Sequence, residues 1–177
     1  MSAPEVWLRG PVEAVPPLLQ PVAHGLIQCR EEMAAILADL TSEQIWTAPG
    51  GAASIGFHVR HAAGSLDRLF TYARGEPLSA AQRAELAAEA HPDLAPNAGA
   101  RLTASFGEAV DRALAQLRAT DPARLLDARG VGRAQLPSTV LGLLFHAAEH
   151  TQRHAGQAAT TAKFLRGSSG SSGSSGS

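Results

Sequence analysis

Two histidines stand four residues apart in His146-Ala147-Ala148-Glu149-His150-Thr151-Gln152-Arg153-His154-Ala155-Gly156-Gln157. On an α-helix, positions four apart lie one above the other, so His150 and His154 can present two imidazoles to one ion. Neutral imidazole is a common ligand for divalent metals, and two rings on one helix fix two coordination positions at small entropic cost. A third ring from another helix would complete a facial set, with room left for water or substrate. His58-Val59-Arg60-His61, on a separate helical stretch, offers that ring. The chemistry at issue is that of a metal centre.

Such rings need rigid elements to bring them together, and nearly every element of the chain reads as helix. A stretch from about Pro17 to Leu40 carries Leu18, Leu19, Val22, Leu26, Ile27, Met33, Ile36, Leu37 and Leu40 at helical spacing, with Pro21 and Gly25 bending or delaying its start. Thr41-Ser42-Glu43-Gln44 reads as a capping box opening a short turn through Trp46, and Pro49-Gly50-Gly51 breaks the chain. Ser54 caps a second long helix that runs to about Arg74 and stops at Gly75. Its stripe is Ile55, Val59, Ala62, Leu66, Leu69 and Ala73. A shorter helix with a Ser79-x-x-Gln82 start runs to about Ala90, where His91-Pro92 ends it.

A third long helix spans about Ala100 to Ala119, with Leu102, Phe106, Val110, Ala113, Leu114 and Leu117 inward. Asp121-Pro122 predicts a short helical piece to about Leu126. Residues Arg129 to Leu136 read as a loop, and Pro137-Ser138-Thr139 as the start of a final helix ending near Leu165. Strand-type segments are missing and aromatics make up 5% of the chain, so a sheet-based core is excluded. The expected fold is all-α: a four-helix bundle of up-down type with a long crossover and short extra helices. One domain is expected over residues 1–166, and the Gly/Ser run 167–177 reads as an appended, disordered linker.

On a helical wheel the apolar centre of the last helix lies along Val140, Leu144, Ala147, Ala158 and Leu165. His154 falls about 40° from Val140, His150 about 80° and His146 about 120°. The first two face the bundle or its mouth, and His146 sits at the edge. On the second helix His58 lies closer than His61 to the apolar centre near Ile55 and Leu66. A ligand often sits at the margin of a stripe, however, where a pocket opens, so spacing leaves both candidates standing. His24 and His91 have no such context and read as structural or solvent-exposed.

The 177-residue chain is 45% apolar and 18% charged, with a formal net charge of -1. That balance speaks against a nucleic-acid surface, and no arginine-lysine stripe is visible. No run approaches the length of a membrane span and no basic-then-apolar leader opens the chain, so a cytoplasmic protein is expected. A lone cysteine, Cys29, rules out an internal disulfide and reads as a small packed residue, because no partner stands beside it. Alanines on several helix faces would tolerate a helix–helix interface, so a homodimer is expected.

The stretch Ser54-Ile55-Gly56-Phe57-His58-Val59-Arg60-His61-Ala62-Ala63-Gly64-Ser65-Leu66-Asp67-Arg68-Leu69 resembles the second helix of the DinB-like (damage-inducible) bacterial proteins. His150-Thr151-Gln152-Arg153-His154-Ala155-Gly156-Gln157 resembles that family's last-helix pattern, in the expected order and separation. The resemblance covers roughly Val15 to Leu165. It implies a four-helix bundle, frequently dimeric, with a divalent metal held by His61, His150 and His154. His58 and His146 then become pocket-wall or ligand-orienting candidates. Gly156 would permit close helix approach, and Gln157 would orient a ligand or hydrogen-bond a buried group. Members of the superfamily include thiol-dependent transferases and isomerases, so the implied reaction is transfer of a low-molecular-weight thiol to a small electrophile. The alternative is a non-catalytic, stress-associated metal-binding or structural bundle.

Three neutral imidazoles leave the full divalent charge on an ion. Such a centre lowers the pKa of bound water or presents a thiol, with zinc suiting a tetrahedral set and nickel one with more waters. A hydrolase would want a carboxylate base near that water. Glu149 is turned about 100° from His150, and Asp67 points away from His61, so the spacing favours thiol binding over hydrolysis.

Overall fold

The computed structural model describes residues 3–170, and side chains as far as Gly167. Six α-helices and one β-hairpin follow in the order α1 (Gln20–Leu37), α2 (Ser42–Trp46), α3 (Ile55–Arg74), α4 (Ala80–Ala88), α5 (Ala98–Ala119), β1 (Ala128–Val131), β2 (Leu136–Thr139) and α6 (Val140–Gly170). The long helices α1, α3, α5 and α6 form the bundle. Helix α3 packs on α5 and α6, and so does α1, which leaves α1 diagonal to α3 and α5 diagonal to α6. Two of the three connections therefore cross the bundle. The helices that carry the histidines, α3 and α6, are the pair in most extensive contact.

Local chemistry sets the helix ends. Ser54 Oγ accepts from the Phe57 amide at 3.1 Å, and Thr41/Gln44 and Ser79/Gln82 both close reciprocal capping boxes. Gly75, at φ 81°, takes the left-handed turn that stops α3, where its amide bonds back to the Thr71 and Tyr72 carbonyls. Helix α1 begins at Gln20, after a 3-10 turn at Pro17–Leu19, because Pro21 is tolerated only in the first helical turn. It ends at Leu37, three residues short of the expected Leu40.

The core lies along the bundle axis, where Leu26, Met33, Val59, Leu66, Phe106, Leu117 and Leu144 are almost wholly buried. Each large side chain of this kind contributes about 1.5–3 kcal/mol. A single unpaired buried polar group costs about 1–3 kcal/mol, which a core of this size can offset. On α3 the inward position expected for Leu69 belongs to Phe70, which is 3% exposed, while Leu69 is half-buried. No described helix is long and apolar enough to cross a membrane.

The segment expected as a loop is an antiparallel hairpin, in which Ala128 pairs with Thr139 and Val131 with Leu136. It ties two helix ends together. Arg129 Nε donates to the Ala73 carbonyl at the end of α3 (2.9 Å). At the start of α6, the amides of Val140 and Leu141 reach the carbonyls of Asp127 and Leu125, and Thr139 Oγ1 receives the Gly142 amide. Helix α6 thus starts at Val140, after the Pro-Ser-Thr expected to open it, and its first orphan amides are satisfied. It continues through Gly170, beyond the expected end near Leu165 and into the Gly/Ser run. Residues 171–177 of that run lie outside the described residues.

Candidate metal centre

Helix α3 carries His58 and His61 three residues apart, and α6 carries His150 and His154 four apart. Because the two helices lie side by side, the four rings form one cluster. His61 Nε2 lies 3.0 Å from His150 Nε2, and His58 Nδ1 lies 2.9 Å from His154 Nδ1. Ring centroids of His61 and His150 are each 4.6 Å from that of His154. His61, His150 and His154 each offer one nitrogen, all within 4.8 Å of one another. His154 and His58 are buried, at 9% and 6% exposed, while His61 and His150 are partly open to solvent. His61 sits at the rim, stacked on Phe57 with centroids 5.4 Å apart.

The electrostatics favour the neutral form of His58, His150 and His154. Burial, then the neighbouring His61, His150 and His58, pushes His154 down to about 4. Burial also lowers His58, reinforced by His61, and lowers His150, reinforced by His61, His146 and Arg153 against an opposing Glu149. These three rings therefore carry lone pairs at neutral pH, as metal binding requires. Two ring nitrogens bound to one ion at about 2.1 Å stand about 3.0–3.4 Å apart for angles near 90–110°. The 3.0 Å between His61 and His150 fits that edge. The Nδ1 atom of His150 is buried with no hydrogen-bond partner among the described residues. Donation from His154 to His58 would leave the His154 Nε2 lone pair free. The donor set fits a divalent ion of borderline softness.

One residue of this site is absent from the sequence reading. Glu89, at the C-terminal cap of α4, is 4% exposed; its Oε2 accepts from His61 Nδ1 at 2.7 Å and its Oε1 from Arg68 at 2.7 Å. A carboxylate accepts here, so His61 donates through Nδ1, which in the neutral ring leaves the lone pair at Nε2. The available signal was indirect: Gly64 and Arg68 follow His61 at three and seven residues, on its own face of α3.

The remaining expected residues fall at varying distances from the cluster. His58 contacts His154 directly. His146 has a side chain 51% exposed, 3.1 Å from Glu149, and its ring centroid is 5.5 Å from that of His150, so it stands at the outer edge. Gln157 is exposed, which corrects the expectation that it bonds a buried group. Gly156 is exposed too, and a Cβ there would meet nothing within 4 Å, so it serves no close helix approach. His24 bonds the Gly10 carbonyl and His91 is exposed. A cavity of about 870 Å³ opens on the far side of Glu89 between α3, α4 and α5; its walls include Arg60, Asp67, Glu89 and Arg112 and none of the histidines.

A four-helix bundle in which imidazoles from two adjacent helices converge close enough to share an ion defines a class of helical proteins able to hold a metal. The profile of the DinB superfamily matches residues 26–158. This chain belongs to the DinB superfamily. Among solved structures it is similar to a conserved protein from Enterococcus faecalis, with a TM-score of 0.70 and 20% identity, over 84% of this chain and 97% of that one. At that identity the likeness carries the fold alone. No curated protein matches the chain.

Proposed function

We propose that His61, His150 and His154 hold one divalent ion, zinc or nickel, in a metal-dependent transferase that joins a low-molecular-weight thiol to a small electrophile. The observation that supports this reading is the convergence of three imidazoles with, among the described residues, no uncommitted carboxylate beside them. Glu89 is engaged by His61 and Arg68, Glu149 by Arg153 and His146, and Asp67 by Gln82. For hydrolysis, a carboxylate free to take a proton from the metal-bound water would be the expected general base. When bound, the ion supplies Lewis acidity that lowers the pKa of a water or thiol brought to it. The chain itself supplies the rest. His58 orients His154, and Phe57 covers one face of His61.

The test is metal content after gentle purification, in the wild type and in His150→Ala and His154→Ala, followed by conjugation assays with bacillithiol, mycothiol and glutathione over a panel of electrophiles. Near-stoichiometric metal, lost in both variants, and metal-dependent conjugation are expected. Unchanged metal in the variants overturns the ligand set, and silence across the panel overturns the transferase.

A second reading is a structural ion that staples α3 to α6. It is favoured by the position of the large cavity, which lies behind Glu89 and has none of the histidines in its walls. Chelation would then lower the melting temperature with no turnover to lose. Both readings take the protein as a homodimer, which light scattering after size exclusion would test.

A further inference from the structure

Helix α4 has no buried residue of its own, yet its C-terminal cap delivers Glu89 into the protein at 4% exposure. A carboxylate buried to that degree has to be held, and α3 holds it from three directions. Arg68, itself 9% exposed, pairs with Oε1 at 2.7 Å. Arg60 donates to the carbonyls of Ala88 (3.1 Å) and His91 (2.7 Å), on either side of Glu89 in the chain, while its guanidinium lies 4.7 Å over the Trp46 ring. Gly64 supplies the space: a Cβ there would stand 2.7 Å from both Arg68 Nη1 and Glu89 Oε1. A glycine in mid-helix weakens the helix relative to alanine, and this one lies where the ion pair passes. His61, Gly64 and Arg68 thus share one face of α3, with Glu89 laid across it.

From this arrangement we infer that Glu89 is a positioning residue for the metal centre: fixed by Arg68 through the gap at Gly64, it sets the tautomer and orientation of His61 and so the affinity for the ion. A carboxylate that accepts from Nδ1–H leaves Nε2 as the lone pair, 3.0 Å from His150 Nε2. The end of α4, distant in sequence from the histidine motif on α6, then tunes the site. The inference rests on the metal-centre reading above.

The experiment has two readouts. In the metal-free protein, long-range proton–nitrogen NMR reports the His61 tautomer. Zinc affinity is measured by competition against a chromophoric chelator. The wild type is expected to carry the proton on Nδ1. Glu89→Ala should lose that preference and bind zinc about 10–100-fold more weakly. Glu89→Gln, which keeps an acceptor oxygen, should fall between them. Gly64→Ala retains every histidine and both members of the ion pair, and alanine is the better helix former. It should nevertheless weaken zinc binding and lose the Nδ1 preference of His61 while far-ultraviolet circular dichroism still shows the wild-type helix content, which separates positioning from loss of fold. A wild-type proton on Nε2, or equal zinc affinity in wild type and Glu89→Ala while His154→Ala loses the ion, overturns the role of Glu89 alone. Zinc binding that survives His154→Ala, or none in the wild type, overturns the metal centre and this inference together.

Discussion

Acidification should weaken the metal-free protein from its histidine end, and His154 sets the size of the effect. Its ring is held at about 4 in the folded chain, against an ordinary 6.5. Between those two values an unfolded chain accepts a proton that the folded chain refuses. The folded state is therefore at full advantage above about pH 6.5 and loses ground as the pH falls toward about 4, at about 1.4 kcal/mol per unit. The gap amounts to a loss of about 3 kcal/mol, a large share of the ~5–15 kcal/mol that holds a domain together. His58 and His150, also lowered by burial, act in the same direction. Urea unfolding of chelator-treated protein, followed by far-ultraviolet circular dichroism from about pH 7 to about pH 4.5, stays above most carboxylate titration. His154→Gln removes the titrating ring and should flatten much of the slope. A wild-type stability that stays level over this range, or a variant with an undiminished slope, would refute the reasoning.

Other perturbations probe the fold around the site. Gly56→Ala should destabilise by about 1–3 kcal/mol despite better helix propensity, because the new Cβ would lie 2.7 Å from the buried Trp46 indole; a raised melting temperature would contradict this packing. Cys29 is fully buried and its thiol is pushed up to about 12 by burial, so an aromatic disulfide reagent should label it only as fast as the protein opens. Rapid labelling of the native chain at neutral pH would show the thiol to be accessible. Ser54→Ala removes the cap on the histidine-bearing α3 and should cost about 1 kcal/mol in urea unfolding, with Ser54→Asp restoring most of it.

The four long helices are legible in the sequence because their apolar residues recur at helical spacing and their caps are local. Ser54, the Thr41/Gln44 and Ser79/Gln82 pairs and Gly75 all act within four residues of themselves. The hairpin is not legible in this way. Ala128-Arg129-Gly130-Val131 has one β-branched residue and its partner strand contains Pro137, so the ladder owes its existence to closing the diagonal between α5 and α6. For the site, wheel geometry ranks His58 above His61 for burial, and the structure agrees. Depth, however, does not decide which nitrogens gather: the half-open His61, at the margin of the stripe, brings one within 4.8 Å of those of His150 and His154. Glu89 lies 28 residues from His61 at the end of an exposed helix, where no periodicity marks it. Gly156 and Gln157 show the opposite case: a place in a motif does not decide what surrounds a side chain.

The ring cluster joins distant parts of the chain: His61 meets His150 at a separation of 89 residues, and His58 meets His154 at 96. A polypeptide emerging from the ribosome therefore displays one half of this cluster long before the other half exists. A nascent fragment that stops within α5 holds two imidazoles on one helix and has nothing to close them against. Ion capture there would belong to the finished polypeptide alone, and truncated products would compete poorly for scarce metal.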